Sequence, residues 1–205
     1  MTAQKPLRLG VLVSGTGSNL QAILDAIGAG TLNAQVKVVI SNRADVLALE
    51  RAQKAGVLAL TIPHKSFDSR EAFDRALISA LREAGVDWIV LAGFMRVLTP
   101  EFLQAYPGRI INIHPALLPA FPGVDAAKQA FDYGVKVTGC TVHFVDQGID
   151  SGKIIAQRAV PVEAGDDLAA LGARIHAAEH ELFVSVLRDI AAGHVAPLHS
   201  SAAEA

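Results

Sequence analysis

The chain has 205 residues, 51% hydrophobic and 19% charged, which suits one globular domain with its own core. A net charge of −2 without a dense Lys/Arg tract argues against nucleic-acid binding, and no apolar run reaches the roughly 20 residues of a membrane span. Met1 to Arg8 is too short and polar for a signal peptide, and the single Cys140 excludes an internal disulfide and a cysteine-rich zinc site, so a cytoplasmic protein working without a metal is expected.

Short β-branched runs alternate with helical patterns. Residues 7–14 read as a buried strand, 19–29 as a helix, 36–41 as a second strand, 46–55 as a helix and 57–62 as a third strand. A helix over 70–84 carries Phe73, Leu77, Ile78 and Leu81 on one side, and strands follow at 87–92 and 110–114. This order predicts an α/β fold, a Rossmann-like, mostly parallel sheet with helices on both faces. After Pro119 a helix near 125–133 leads to two adjacent strands, 136–145 and 154–161, joined by a glycine-containing connector at 146–153. They predict an antiparallel C-terminal addition to the sheet. A last helix at about 167–192 is capped by Asp166 or Asp167. One domain over residues 1–205 is expected, with a flexible tail at 197–205.

Ser14-Gly15-Thr16-Gly17-Ser18-Asn19-Leu20 joins the first strand to the first helix. Glycines let the backbone turn sharply near a ligand, and a helix start offers unpaired N–H groups, which together suit a phosphate. The plainer alternative is a tight strand–helix turn with Ser18 as N-cap. A dinucleotide fingerprint would place glycine at Leu20 and an acid after the second strand, where Ser41-Asn42-Arg43 stands. A P-loop would need Gly-Lys-Ser/Thr. A mononucleotide or sugar phosphate is therefore favoured.

Ile110-Ile111-Asn112-Ile113-His114-Pro115 is the most informative stretch. Alternation puts Asn112 and His114 on the same side of a strand near its C-terminal end, where doubly wound sheets bind ligands. An amide and an imidazole side by side can donate hydrogen bonds to a developing oxyanion, and the imidazole can carry a proton. Equally, both can satisfy backbone groups at a strand end. A carboxylate from the 146–153 connector folded over this strand would favour a charged His114. Asp150 and Asp146 both qualify by spacing.

Together these residues resemble the folate-dependent formyltransferases, and among them the phosphoribosylglycinamide formyltransferases of purine synthesis. The resemblance runs from Arg8 to about Gly193. It rests on the Ser-Gly-Thr-Gly-Ser-Asn-Leu-Gln turn, Ile-Ser-Asn-Arg at 40–43, Leu-Ala-Gly-Phe-Met-Arg-Val-Leu at 91–98, Asn-Ile-His-Pro-Ala-Leu-Leu-Pro at 112–119, Thr-Val-His-Phe-Val at 141–145 and Asp-Ser-Gly at 150–152. It implies Asn112, His114 and Asp150 as the catalytic trio, which selects Asp150 over Asp146. It implies Gly17, Ser18, Asn19 and Glu179 as the site for glycinamide ribonucleotide, with His176 a turn before Glu179. Arg70, Met95, Arg96, Val97, Leu98 and Asn112 would meet the folate, with Leu91, Phe94 and Ile110 as apolar walls. The expected reaction transfers the formyl group of 10-formyltetrahydrofolate to the glycine amine, without a metal, in a monomer or homodimer acting on small molecules. His64 reads as structural, and His143 is not assigned a role.

Two departures stand out. Val-Asp-Ala-Ala-Lys-Gln-Ala follows Gly123 where some members have histidines, and Lys153 adds a charge close in sequence to Asp150. Two relatives share the trio. Formyltetrahydrofolate deformylase adds an N-terminal module, for which a first strand at Leu7 leaves no expected room. Methionyl-tRNA formyltransferase adds a C-terminal domain and a basic surface, which the slightly acidic composition does not suggest.

Overall fold

The computed structural model describes residues 5–198. The elements are β1 (Leu7–Val13), α1 (Ser18–Gly28), β2 (Ala34–Ser41), α2 (Leu47–Lys54), β3 (Leu58–Thr61), α3 (Arg70–Glu83), β4 (Trp88–Leu91), α4 (Pro100–Ala105), β5 (Ile110–His114), α5 (Ala126–Tyr133), β6 (Val137–Phe144), β7 (Ile154–Pro161) and α6 (Leu168–Ala191). A 3₁₀ turn at His64–Ser66 follows β3.

Seven strands form one sheet in the order β3-β2-β1-β4-β5-β6-β7. β3 through β5 are parallel, and β6 and β7 join antiparallel. The expected Rossmann-like sheet and its antiparallel addition are both present. Parallel strands buried on both faces read as continuous apolar runs, which is why β1, β2, β4 and β5 were visible in the sequence. One face packs α1, α2 and α6 through Leu20, Ile23, Ala48, Ala52, Leu171 and Phe183, and the other packs α3 and α4 through Phe73, Leu77, Leu81 and Phe102. The strand order reverses between β1 and β4, so their C-terminal ends border the crevice where such sheets bind ligands.

Most boundaries fall within two residues of expectation. Helix α4 was not anticipated. Thr99 caps it by accepting from the Phe102 N–H, with Pro100 in the first turn, but it is only six residues long. Gly17, not Ser18, is the N-cap of α1; its φ of 72° is a left-handed conformation that glycine adopts without strain. Asp167 caps α6 by accepting from the Ala170 N–H, while Asp166 pairs with Arg174. The expected flexible tail divides. Leu198 donates its N–H to the Gly108 carbonyl at 3.0 Å, which ties the chain down to that residue, and 199–205 lie outside the described residues. Among the described residues, no helix is long and apolar enough to cross a membrane.

Candidate active site

A cavity of about 670 Å³ opens at the C-terminal edge of β4 and β5. Asn112, His114, Asp150, Met95, Arg96, Val97 and Leu98 all line it, as do Leu91 and Phe94. Ile110, expected as a third apolar wall, is instead packed in the core on the α3–α4 face. Alternation along β5 explains the arrangement. Ile111 and Ile113 point into the α6-side core, and Asn112 and His114 take the opposite face.

His114 is 4% exposed. Its Nδ1 lies 3.3 Å from Asp150 Oδ2 and its Nε2 lies 2.8 Å from the Phe121 carbonyl oxygen. Both ring nitrogens therefore face acceptors. The Asp150 carboxylate also accepts the Gly123 N–H at 2.8 Å, and its Oδ1 lies 3.6 Å from His143 Nε2. Burial opposes ionisation of Asp150. The Gly123 N–H and the charge of His114 oppose that effect, and the carboxyl lies below its ordinary range. Asp146 is turned elsewhere, accepting from the Gly148 N–H and the Ser151 hydroxyl. Lys153 is exposed, and Asp150 is shifted by its neighbours Gly123 and His114 rather than by this lysine.

Local backbone strain builds this corner. Phe121, Asp125 and Asp150 all have φ between 52° and 56°. Asp tolerates that region and a bulky Phe much less, so the carbonyl presented to His114 is held at a cost of about 1–3 kcal/mol. His143, left without an assigned role above, joins the cluster: it pairs directly with Asn112 across β5 and β6.

The wall at 93–98 is held at three points. Ser14 Oγ accepts from Met95 N–H at 2.9 Å, Arg70 donates to the Val97 carbonyl at 3.1 Å, and Asp74 accepts from Thr99 N–H at 2.7 Å. Arg70 thus supports the wall and does not line the cavity. Met95 and Val97 remain 58% and 50% exposed, leaving apolar side chains uncovered at the rim. His64 is engaged with Asn42, in keeping with a structural role.

The glycine turn lies at the C-terminal end of β1. No side chain caps α1 and no acid sits in its first turn, so its N–H groups face outward without an anionic competitor. Asn19 Nδ2 donates to Glu179 Oε2 at 3.3 Å, which joins the turn to α6. Asn19 Oδ1 is buried and has no partner. Glu179 is 4% exposed, and burial pushes its carboxyl up to about 7 against the smaller opposing effect of Asn19. His176 is exposed, with Nε2 at 4.0 Å from Glu179.

Residues 7–187 match the formyl transferase family model. The chain is 52% identical over 189 residues to the trifunctional purine biosynthetic protein adenosine-3 of Drosophila melanogaster, covering 91% of this chain and 14% of that one, so it spans a small part of that relative. It is 45% identical to the phosphoribosylglycinamide formyltransferase of Escherichia coli (strain K12), covering 94% of this chain and 91% of that one. Glycinamide ribonucleotide transformylase 1 from Symbiobacterium toebii superposes with a TM-score of 0.92 at 50% identity, covering 96% of this chain and 92% of that one. The chain belongs to the formyl transferase family.

Proposed function

We propose that this protein transfers the formyl group of 10-formyltetrahydrofolate to the glycine amine of glycinamide ribonucleotide, a step of purine synthesis, as a cytoplasmic enzyme acting on small molecules. The observation that carries this reading is the Asn112–His114–Asp150 cluster, with His114 buried and the other two half-buried, on one side of an apolar-walled cavity. Such a cavity suits a flat heterocycle, and the polar groups converge where a transferred carbonyl would sit. Met95, Arg96, Val97 and Leu98 would flank the folate, with Arg70 acting through Val97. Gly17, Ser18 and Asn19 would hold the phosphoribosyl group at the α1 terminus, and Glu179 would accept a ribose hydroxyl.

The neutral glycine amine attacks the formyl carbon. Negative charge grows on the formyl oxygen, where Asn112 and the His114 imidazolium donate hydrogen bonds. Asp150 balances the imidazolium and holds its ring. For His114 Nε2–H to reach the substrate, the Phe121 carbonyl must yield, and the strained φ of Phe121 lowers the cost of that release. A proton passes from the amine to the departing folate nitrogen. Adjacent binding of both substrates supplies much of the rate through proximity.

The test is spectroscopic detection of tetrahydrofolate release with and without glycinamide ribonucleotide. Release that needs the ribonucleotide is expected. Release to water alone would make the protein a deformylase. His114→Ala should lower turnover by roughly 10²–10⁴, and near-normal turnover in that variant would remove His114 from the mechanism.

A further inference from the structure

We infer that His143 is a positioning residue that sets the orientation of the Asn112 amide, and that it does so through one nitrogen of its ring. The inference rests on the formyl-transfer reading above. His143 is 2% exposed and lies directly opposite Asn112 in the β5–β6 register. Its Nδ1 is 2.8 Å from the Phe144 carbonyl oxygen. A carbonyl only accepts, so Nδ1 carries the hydrogen, and in the neutral ring Nε2 is left as a bare acceptor. Asn112 Nδ2 stands 3.2 Å from that Nε2.

The consequence concerns which end of the amide is fixed. One Nδ2 hydrogen is committed to His143, and the other remains for the formyl oxygen. An amide turned by 180° would set its carbonyl oxygen against the Nε2 lone pair, two acceptors facing each other in a buried site, which is unfavourable. The Phe144 backbone therefore fixes the His143 tautomer, and the tautomer fixes Asn112. This is how a histidine beside a metal is oriented by the hydrogen bond at its other nitrogen, here with an amide in the metal's place. Asp150 Oδ1 stands 3.6 Å from the same nitrogen, beyond hydrogen-bond distance, while Asn112 is within it.

Two substitutions separate the two ring nitrogens. His143→Gln puts an amide at the position of Nε2, and its oxygen can accept from Asn112. His143→Asn reaches only the position of Nδ1 and leaves Asn112 without an acceptor. His143→Asn is expected to lower kcat about tenfold to a hundredfold, a part of the loss caused by removing an oxyanion donor outright, with KM for the folate unchanged. His143→Gln should stay within about threefold of the unmodified enzyme. In an Asn112→Ala background, His143→Asn should add no further loss, because there is no amide left to orient. Should His143→Asn fail to fold, His143→Phe keeps the ring volume, removes both nitrogens and is carried through the same cycle. Equal losses with and without Asn112, a loss confined to KM, or His143→Gln as impaired as His143→Asn would each overturn the inference. An unmodified enzyme that releases no tetrahydrofolate with the ribonucleotide would instead overturn the proposed reaction, so the two failures are distinct.

Discussion

Glu179 should make the protein less stable as pH rises through neutrality, and Glu179→Gln should abolish that loss. The carboxyl is 4% exposed on α6, and its one described hydrogen bond is the 3.3 Å contact from Asn19. Burial moves it from 4.5 to about 7. A carboxyl raised in the folded state binds its proton more tightly there than in the unfolded chain. Stability from this group is therefore complete below about pH 4.5 and lost as pH climbs to about 7. At roughly 1.4 kcal/mol per pH unit the full loss is about 3 kcal/mol, with about 2.5 of it between pH 5 and 8. Gln keeps the shape and an acceptor for Asn19 but does not titrate. Urea unfolding of both proteins at pH 5, 6, 7 and 8 isolates the effect, because every other titrating group cancels in the difference. The variant should exceed the natural protein by about 1 kcal/mol at pH 5 and by about 3 kcal/mol at pH 8. Parallel pH–stability curves would refute the reasoning. A residue that costs stability at neutral pH is expected to serve a ligand, so the same variant should bind glycinamide ribonucleotide more weakly.

Three further outcomes are expected. Asp150→Asn keeps the acceptor for Gly123 but removes the charge opposite His114, and kcat should fall by roughly 10²–10⁴ with the fold intact by circular dichroism. Gly17→Ala places a Cβ 2.6 Å from Ala48 Cβ in a left-handed conformation, so urea unfolding should show a loss of about 1–3 kcal/mol, and KM for the ribonucleotide should rise. Cys140 is fully buried, and burial pushes its thiol up to about 12, so a chromogenic disulfide reagent at pH 8 should leave it unmodified until the protein is unfolded.

What the sequence revealed about this site, and what it did not, divides by the range of the interaction involved. Asn112 and His114 lie on one strand, where period-two alternation is a local property, and their shared face was readable. The glycine turn was readable for the same reason, since a left-handed φ at Gly17 is a demand on one residue. Asp150 was different. Its carboxylate reaches His114 because the backbone is left-handed at Phe121, Asp125 and Asp150, and only glycine positions announce such a conformation in advance. Family resemblance, not spacing, separated it from Asp146. Helix α4 was hidden because six residues give too short a period to stand out beside the apolar run at 91–98.

His143 is the clearest case of information held at long range. Strand β6 is buried at seven of its eight positions, so alternation of exposure along it carries no signal about which face meets the cavity. Cys140, Val142 and Phe144 enter the α6-side core, and His143 takes the other face opposite Asn112. That assignment depends on the β5–β6 register. A slip of one residue would send His143 into the apolar core and bring Val142 or Phe144 to Asn112. The cost of burying an unpaired imidazole is several times that of one weak contact, so the same residue that orients the amide also penalises the wrong register. A histidine at this position is thus constrained by pairing before it is constrained by catalysis, and the two demands are met by different nitrogens of one ring.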